Sequence, residues 1–317
     1  MVSPKVSGLG DNFYIAGYDL SGDVGSIDTI SGPMTPLDST TIKQSAHSRI
    51  PGLRAGMWQF TTFFESATGV SNPGVPGSTV PYVSTYSFPV LVTVIGGTGT
   101  QVSINGVNQG TFDGTYVLPA FGTIILTYSV APTWNWIAIG TEHQALSGLP
   151  RTDVVATYFR GTTLGNPAAS MVAKQLNYDP TRDNVGNLTL KVELDANSFG
   201  MEWGTMLTAG LRADITATTG AFIDQGAGSA FGCQAYLQLV EFVGTSVDVT
   251  ITHATTSGGT YTTVVDFGSL SAIGAVRIAT ANNVTINEFL KVVTAGTFTL
   301  ATFAVMFVRN PIAGQVF

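Results

Sequence analysis

FYIAGYDLSGDVGSIDTISG (residues 13–32), PLDSTTIKQSAHSRIPGLRAG (36–56) and MWQFTTFFE (57–65) together decide how this chain folds. Three β-prone runs are legible, over Phe13–Ala16, Ser26–Ile30 and Met57–Phe64. The turn chemistry of Asp19-Leu20-Ser21-Gly22-Asp23 separates the first two. Between the second and third lies a long excursion, dense in hydroxyl groups, that ends in the compact Arg49-Ile50-Pro51-Gly52-Leu53-Arg54. A loop of that length inside a folded domain serves binding or is disordered. We expect it to bind other copies of the same chain.

Composition supports that expectation. Only 10% of the 317 residues are charged, against about 25% in ordinary soluble domains. So little charge leaves a monomer poorly solvated and implies a surface covered by partners. The net charge of −7 opposes a nucleic-acid grip, which needs clustered Lys and Arg.

The chain also changes character along its length. From Ser71 to Ile139 there is no Lys or Arg, and Asp113 is the only carboxylate. Short runs at Val90–Ile95, Gln101–Val107, Gly114–Leu118 and Thr123–Ser129 predict a small antiparallel sandwich, an insert at 71–139 that divides a first domain (1–70 with 140–203). Asn105-Gly106 is a turn pair within it. Trp134 and Trp136 close its core or, alternatively, form a carbohydrate-stacking platform. Past the insert we expect a short helix over Glu142–Leu149, then strands Val154–Arg160, Ser170–Tyr178 and Leu188–Leu194, with a hairpin tip at Asp179–Asn184. These complete the sheet begun by residues 13–65. Residues 204–232, rich in Ala, Thr and Gly, read as a linker into a last domain, 204–317. There Ala235–Val243, Val247–His253, Tyr261–Phe267, Val276–Ala279, Phe289–Thr294 and Phe298–Val308 suggest a jelly-roll-like sandwich. The whole is expected to be all-β with one short helix.

Motifs for chemistry are missing. His47, His143 and His253 lack ligand spacing, and Cys233, the single cysteine, reads as a buried thiol. No phosphate loop, nucleophile elbow or H-E-x-x-H occurs. Asp23 and Asp28 make a poor glycosidase pair, because carboxylates at strand turns are normally solvated. We expect no enzyme, no cofactor and no metal. MVSPKVSGLG has no apolar core of a secretory signal, and LATFAVMFV is too short to span a bilayer; the product is expected to stay soluble in the cytoplasm where it is made.

The three opening segments, together with EHQALSGLPRTDVVATYFRGTTLGNPAASMVAKQLNYDPTRDNVGNLTLKVEL (142–194), resemble the major tail (tail tube) proteins of long-tailed, siphovirus-type bacteriophages. The insert resembles small immunoglobulin-like modules that decorate virions. FLKVVTAGTFTLATFAVMFVRN (289–310) resembles β-sandwich appendages of tail proteins from phages of actinobacterial hosts. The resemblance implies a tail-tube β-sandwich or barrel that assembles into stacked hexameric rings in the virion tail. The rings surround a tape-measure protein, end on terminator and distal tail proteins, and let double-stranded DNA pass without specific binding or membrane insertion. It further implies that Leu37, Asp38, Thr40, Ile50, Pro51, Gly52, Leu53 and Arg54 contact neighbouring subunits. Asp19, Asp23, Asp28, Glu193 and Asp195 are candidates to face the lumen. The alternative is a tail decoration or receptor- or carbohydrate-binding minor tail protein using the Trp134/Trp136 module.

Overall fold

The computed structural model describes residues 10–41, 43, 46–63, 70–86, 89–119, 121–138, 145–147, 152–182 and 188–312. The chain is all-β and forms two compact units, Met1–Phe63 with Gly148–Phe317, and Phe64–Ser147. Of the helix expected over Glu142–Leu149, only residues 145–147 are described.

The first unit opens with β1 (Asn12–Ile15), β2 (Tyr18–Asp19), β3 (Val24–Ser31), β4 (Met34–Asp38), β5 (Arg49–Arg54) and β6 (Met57–Phe63). The second unit holds β7 (Tyr82–Val83), β8 (Val90–Ile95), β9 (Thr98–Ile104), β10 (Val107–Asn108), β11 (Gly114–Leu118), β12 (Thr123–Val130) and β13 (Thr133–Ala138). The first unit resumes with β14 (Val154–Phe159), β15 (Pro167–Gln175), β16 (Asp179–Arg182), β17 (Leu188–Ala196), β18 (Glu202–Met206), β19 (Arg212–Asp214) and β20 (Thr219–Asp224). It ends with β21 (Cys233–Ala254), β22 (Thr262–Leu270), β23 (Gly274–Ala279) and β24 (Phe289–Arg309).

Its centre is β1-β14-β15, antiparallel, with Phe13 opposite Tyr158 and Tyr158 opposite Ala169. The free edge of β15 is shared by two strands. Pro167–Ser170 pairs with β18, whereas Ala173–Gln175 pairs with β17. Two wings diverge from this fork, β17-β6-β3 and β18-β24-β21. The first packs on one face of the centre, where the Phe13 ring lies 5.3 Å from Trp58 and 4.6 Å from Phe60. The second packs on the other face, where Tyr14, Phe159, Ala168 and Val172 meet Met206, Tyr236, Ala304, Met306 and Val308. Covered on both sides, β15 is buried from Ala168 to Ala173. That is why AASMVA has no polar alternation, and why small side chains dominate where two layers close on one strand.

Residues 204–232 are not a linker. β19 and β20, and the second half of β18, all pair with β24. The segment beyond 204 therefore continues the sheet begun before it. The four strands expected at 235–253 and 289–308 fuse into two, β21 and β24, paired from Cys233 opposite Arg309 to Ala254 opposite Phe289. Gly244 sits at a register shift in this ladder, and Gly296 stays in register opposite Val247. At Gly296, φ is +108° and a Cβ would stand 2.5 Å from the Ser246 carbonyl, so only glycine fits that crossing. The expected hairpin tip at 179–184 supplies a further strand, β16, paired with β17.

One buried polar cluster pins the second wing. Arg277 of β23 donates from Nη2 to Glu202 Oε1 at 3.2 Å and from Nε to the Tyr236 hydroxyl at 3.0 Å. Tyr236 in turn donates to Glu202. The guanidinium also stacks 3.8 Å from the Phe199 ring centre. Burial pushes the Glu202 carboxyl above its ordinary range, and the Tyr236 and Arg277 contacts pull it back.

The second unit stacks β10-β9-β12-β7 on β11-β8-β13. Its core holds Val90, Val92, Val94, Leu118, Ile124 and Leu126 with both tryptophans. Trp134 is 7% and Trp136 3% exposed, their rings 5.3 Å apart, and Trp134 Nε1 donates to the Pro73 carbonyl at 2.7 Å. They are therefore core residues and offer no stacking platform. Asn105 and Gly106, with φ of +48° and +82°, make the expected turn.

Two substitutions check these assignments by urea unfolding. Arg277→Met leaves a buried carboxylate without its cation and lowers stability by about 3–5 kcal/mol at neutral pH. A carboxyl with a raised folded pKa stabilises the fold only while protonated, so the deficit grows as pH rises through that value and narrows in acid. Trp136→Ala removes about 3–5 kcal/mol from the second unit; a change below about 1 kcal/mol would contradict its core placement.

Candidate self-association surface

The excursion between β3 and β6 is a β-ribbon, not an open loop. β3 and β6 pair along their length, ending with Ser31 opposite Met57. After Gly32-Pro33 and Ala55-Gly56 the same two chains pair again as β4 and β5, with Leu37 opposite Ile50 and Asp38 opposite Arg49. The Ala55 N–H donates to the Pro33 carbonyl at 2.9 Å and bridges the two halves. Local hydroxyl and carboxylate bonds close the outer end. Asp38 Oδ1 accepts from the Thr40 N–H at 2.8 Å, Thr40 Oγ1 accepts from the Ser48 N–H at 2.8 Å, and His47 Nδ1 lies 3.3 Å from Asp38 Oδ2. The Thr40 bonds, helped by His47, hold the Asp38 carboxyl below its usual range. At Gly52 a Cβ would lie 2.2 Å from the Thr35 carbonyl, so a side chain there would open the ribbon.

Every residue of β4 is exposed. Leu37 and Ile50, each 52% exposed, stand side by side across the pair, and Leu53 is 90% exposed. Neighbouring apolar side chains on a projecting ribbon mark an interaction surface more than scattered ones do. Pro36 and Pro51 are directly paired. Neither has an N–H, which blunts the ribbon's outer edges against strand addition. What the ribbon offers outward is accordingly its side chains. Thr40 and Asp38 shape its tip, and Arg54 stands at its root beside Met34, Glu202 and Trp203 in a groove of about 410 Å³.

The five acidic candidates separate into two groups. Asp28 and Glu193 line one shallow depression with Gln59, Asn177 and Lys191. Asp195, two residues along β17, shares that face opposite Lys174, whose ammonium pairs with Asp153 at 2.8 Å. Acids and lysines therefore alternate on this face. Asp19 instead fixes a turn by accepting from the Ser21 N–H at 2.9 Å, and Asp23 is buried.

A feature absent from the sequence reading is Trp203. It is 53% exposed on β18 and extends the cross-strand row Phe13–Tyr158–Ala169. Phe13, Tyr158 and Trp203 of this row line a groove of about 520 Å³, walled by Val24, Ile27 and Ile30 of β3 and edged by Asp11 and Ser21. Asp11 accepts from the Tyr158 hydroxyl and, at 2.9 Å, from the Gly161 N–H. Nothing local marks a lone Trp in EWGTM as exposed; only the fork at β15 leaves it so.

Among the described residues no three His, Cys, Asp or Glu side chains gather as a metal-ligand set. Burial pushes the Cys233 thiol up to about 12, so it is a poor nucleophile. His253 Nδ1 accepts from the Asn287 N–H at 3.0 Å, and burial lowers its pKa. His143 lies outside the described residues.

No protein-family model matches the chain, and no curated protein matches it. Among solved structures it is similar to the SPP1 Dit (gp 19.1) protein, described as a paradigm of the hub adsorption apparatus in Gram-positive infecting phages. The similarity spans 96% of this chain and 99% of that one, at 8% sequence identity and a TM-score of 0.30.

Proposed function

We propose that the chain is a structural subunit of a bacteriophage tail that assembles with copies of itself, with no catalytic role and no cofactor. In its fuller form it builds stacked hexameric rings, a tube in the virion that contains a tape-measure protein and conducts DNA during ejection. The observation that carries the proposal is the β4–β5 ribbon: a rigid, hydrogen-bonded projection whose apolar pair Leu37 and Ile50, with Leu53, is left in water. Each such side chain withdrawn from water contributes about 1.5–3 kcal/mol. The tail-tube resemblance of residues 13–65 and 142–194 supports it, as does a composition that is only 10% charged. With 13 Lys and Arg against 20 Asp and Glu, the chain lacks the cationic density that would hold DNA in a bore. The carbohydrate-binding alternative loses its platform, because Trp134 and Trp136 are core residues.

Negative-stain electron microscopy and sedimentation of the purified protein test the proposal. Tubes or six-fold rings are expected; a monodisperse monomer at every concentration would reject it. Replacing Pro36–Pro51 by Asn-Gly should abolish assembly. The remaining fold is expected to stay within about 0.5 kcal/mol of the parent in urea unfolding, as for surface changes away from packed features.

A further inference from the structure

We infer that the ribbon of one copy is received by the groove beside Trp203 on the next copy, so that donor and acceptor are different surfaces of the same chain. This rests on the self-assembly reading and adds the receiving site. The groove volume of about 520 Å³ lies within the roughly 300–1,000 Å³ typical of built binding sites. Phe13, Val24, Ile27, Ile30, Tyr158 and Trp203 give it an apolar and aromatic lining interleaved with Asn12, Ser21 and Ser26, and its rim carries Asp11 with no Lys or Arg. That chemistry fits an apolar pair flanked by cations, which is what the ribbon presents. Residues 34–54 hold Lys43, Arg49 and Arg54, three of the 13 Lys and Arg residues, and Asp38, one of the 20 Asp and Glu residues. The ribbon is thus +2 and the rest of the chain −9. A basic projection on an acidic body is attracted to the body of another copy.

The occupant is not the chain's own ribbon. The root at Met34 and Arg54 already adjoins Trp203, and Leu37 lies three residues, about 10 Å, further out along a paired strand. A ribbon stiffened by its own ladder cannot double back onto its root over that distance. A contact between unlike surfaces propagates from copy to copy, closing as a ring where the rotation allows and running on as a filament where it does not.

Complementation tests this. Trp203→Glu keeps the ribbon and loses the groove, whereas the Pro36–Pro51 replacement keeps the groove and loses the ribbon. Each alone should sediment as a folded monomer, and their equimolar mixture should give a one-to-one dimer and nothing larger. As a second measurement that leaves each fold almost untouched, Leu37→Cys protein is mixed with Trp203→Cys protein under mild oxidation. Covalent dimers are expected in the mixture and not from either alone, Cys233 being buried. Assembly of Trp203→Glu like the parent, or a mixture without cross-links while the parent assembles, would overturn the groove and leave self-assembly standing. A parent that never assembles would instead remove the reading on which it rests.

Discussion

The edge of β15 is the constraint from which the rest follows. A strand edge offers one row of N–H and C=O groups, and here that row is divided between β18 and β17. Two strands cannot lie side by side on the same edge and continue in one plane, so the wings turn to opposite faces of the centre. The strand between them is covered twice, which restricts Ala168–Ala173 to small or slender side chains. The opening between the wings becomes the groove at Trp203, and the first wing carries the ribbon outward. Ribbon, groove and core thus share one topological origin.

In a chain with so few charges, the placement of the buried ones is informative. Arg277–Glu202 ties β23 to β18 across β21 and β24, and Arg212 holds Asp214 through two bonds, at 2.9 and 2.7 Å, while also reaching the Val292 carbonyl of β24. Buried pairs of this kind add little net stability against an apolar replacement, but they make wrong registers costly. Register matters most here, because β24 serves as template for β18, β19, β20 and β21 at once. Residues 301–308 of β24 are buried on both faces, so a slip by one residue would exchange the side chains that fill the two cores.

Much of the sheet was legible because alternation and turn chemistry agreed. Val90–Ile95 and Gly114–Leu118 fall where the sequence places them, and the pairing of residues 13–65 with the segment after the second unit follows from matching polar and apolar faces. Legibility failed where stabilisation is not carried by a hydrophobic period. The ribbon is held by ladder bonds and by Asp38, Thr40 and Ser48, so it reads as a polar loop. β19 (RAD) and β20 (TGAFID) are too short to show a period and owe their conformation to pairing with β24. Among the acidic candidates, the common face of Glu193 and Asp195 follows from their spacing on one strand. The roles of Asp19 and Asp23 depend on a turn that spacing does not reveal.

The long pairing of β21 with β24, bulged near Val240 and Gly244, has a mechanical consequence. Twenty partnered positions run from Cys233 to Ala254 without a chain break on either strand. The ladder bonds lie across the strands. A pull directed along the strand axis therefore loads them together in shear, and none can be opened singly as in unzipping. The strand pair acts as an internal tie-rod within the first unit, able to carry tension between its two ends without relying on side-chain packing alone.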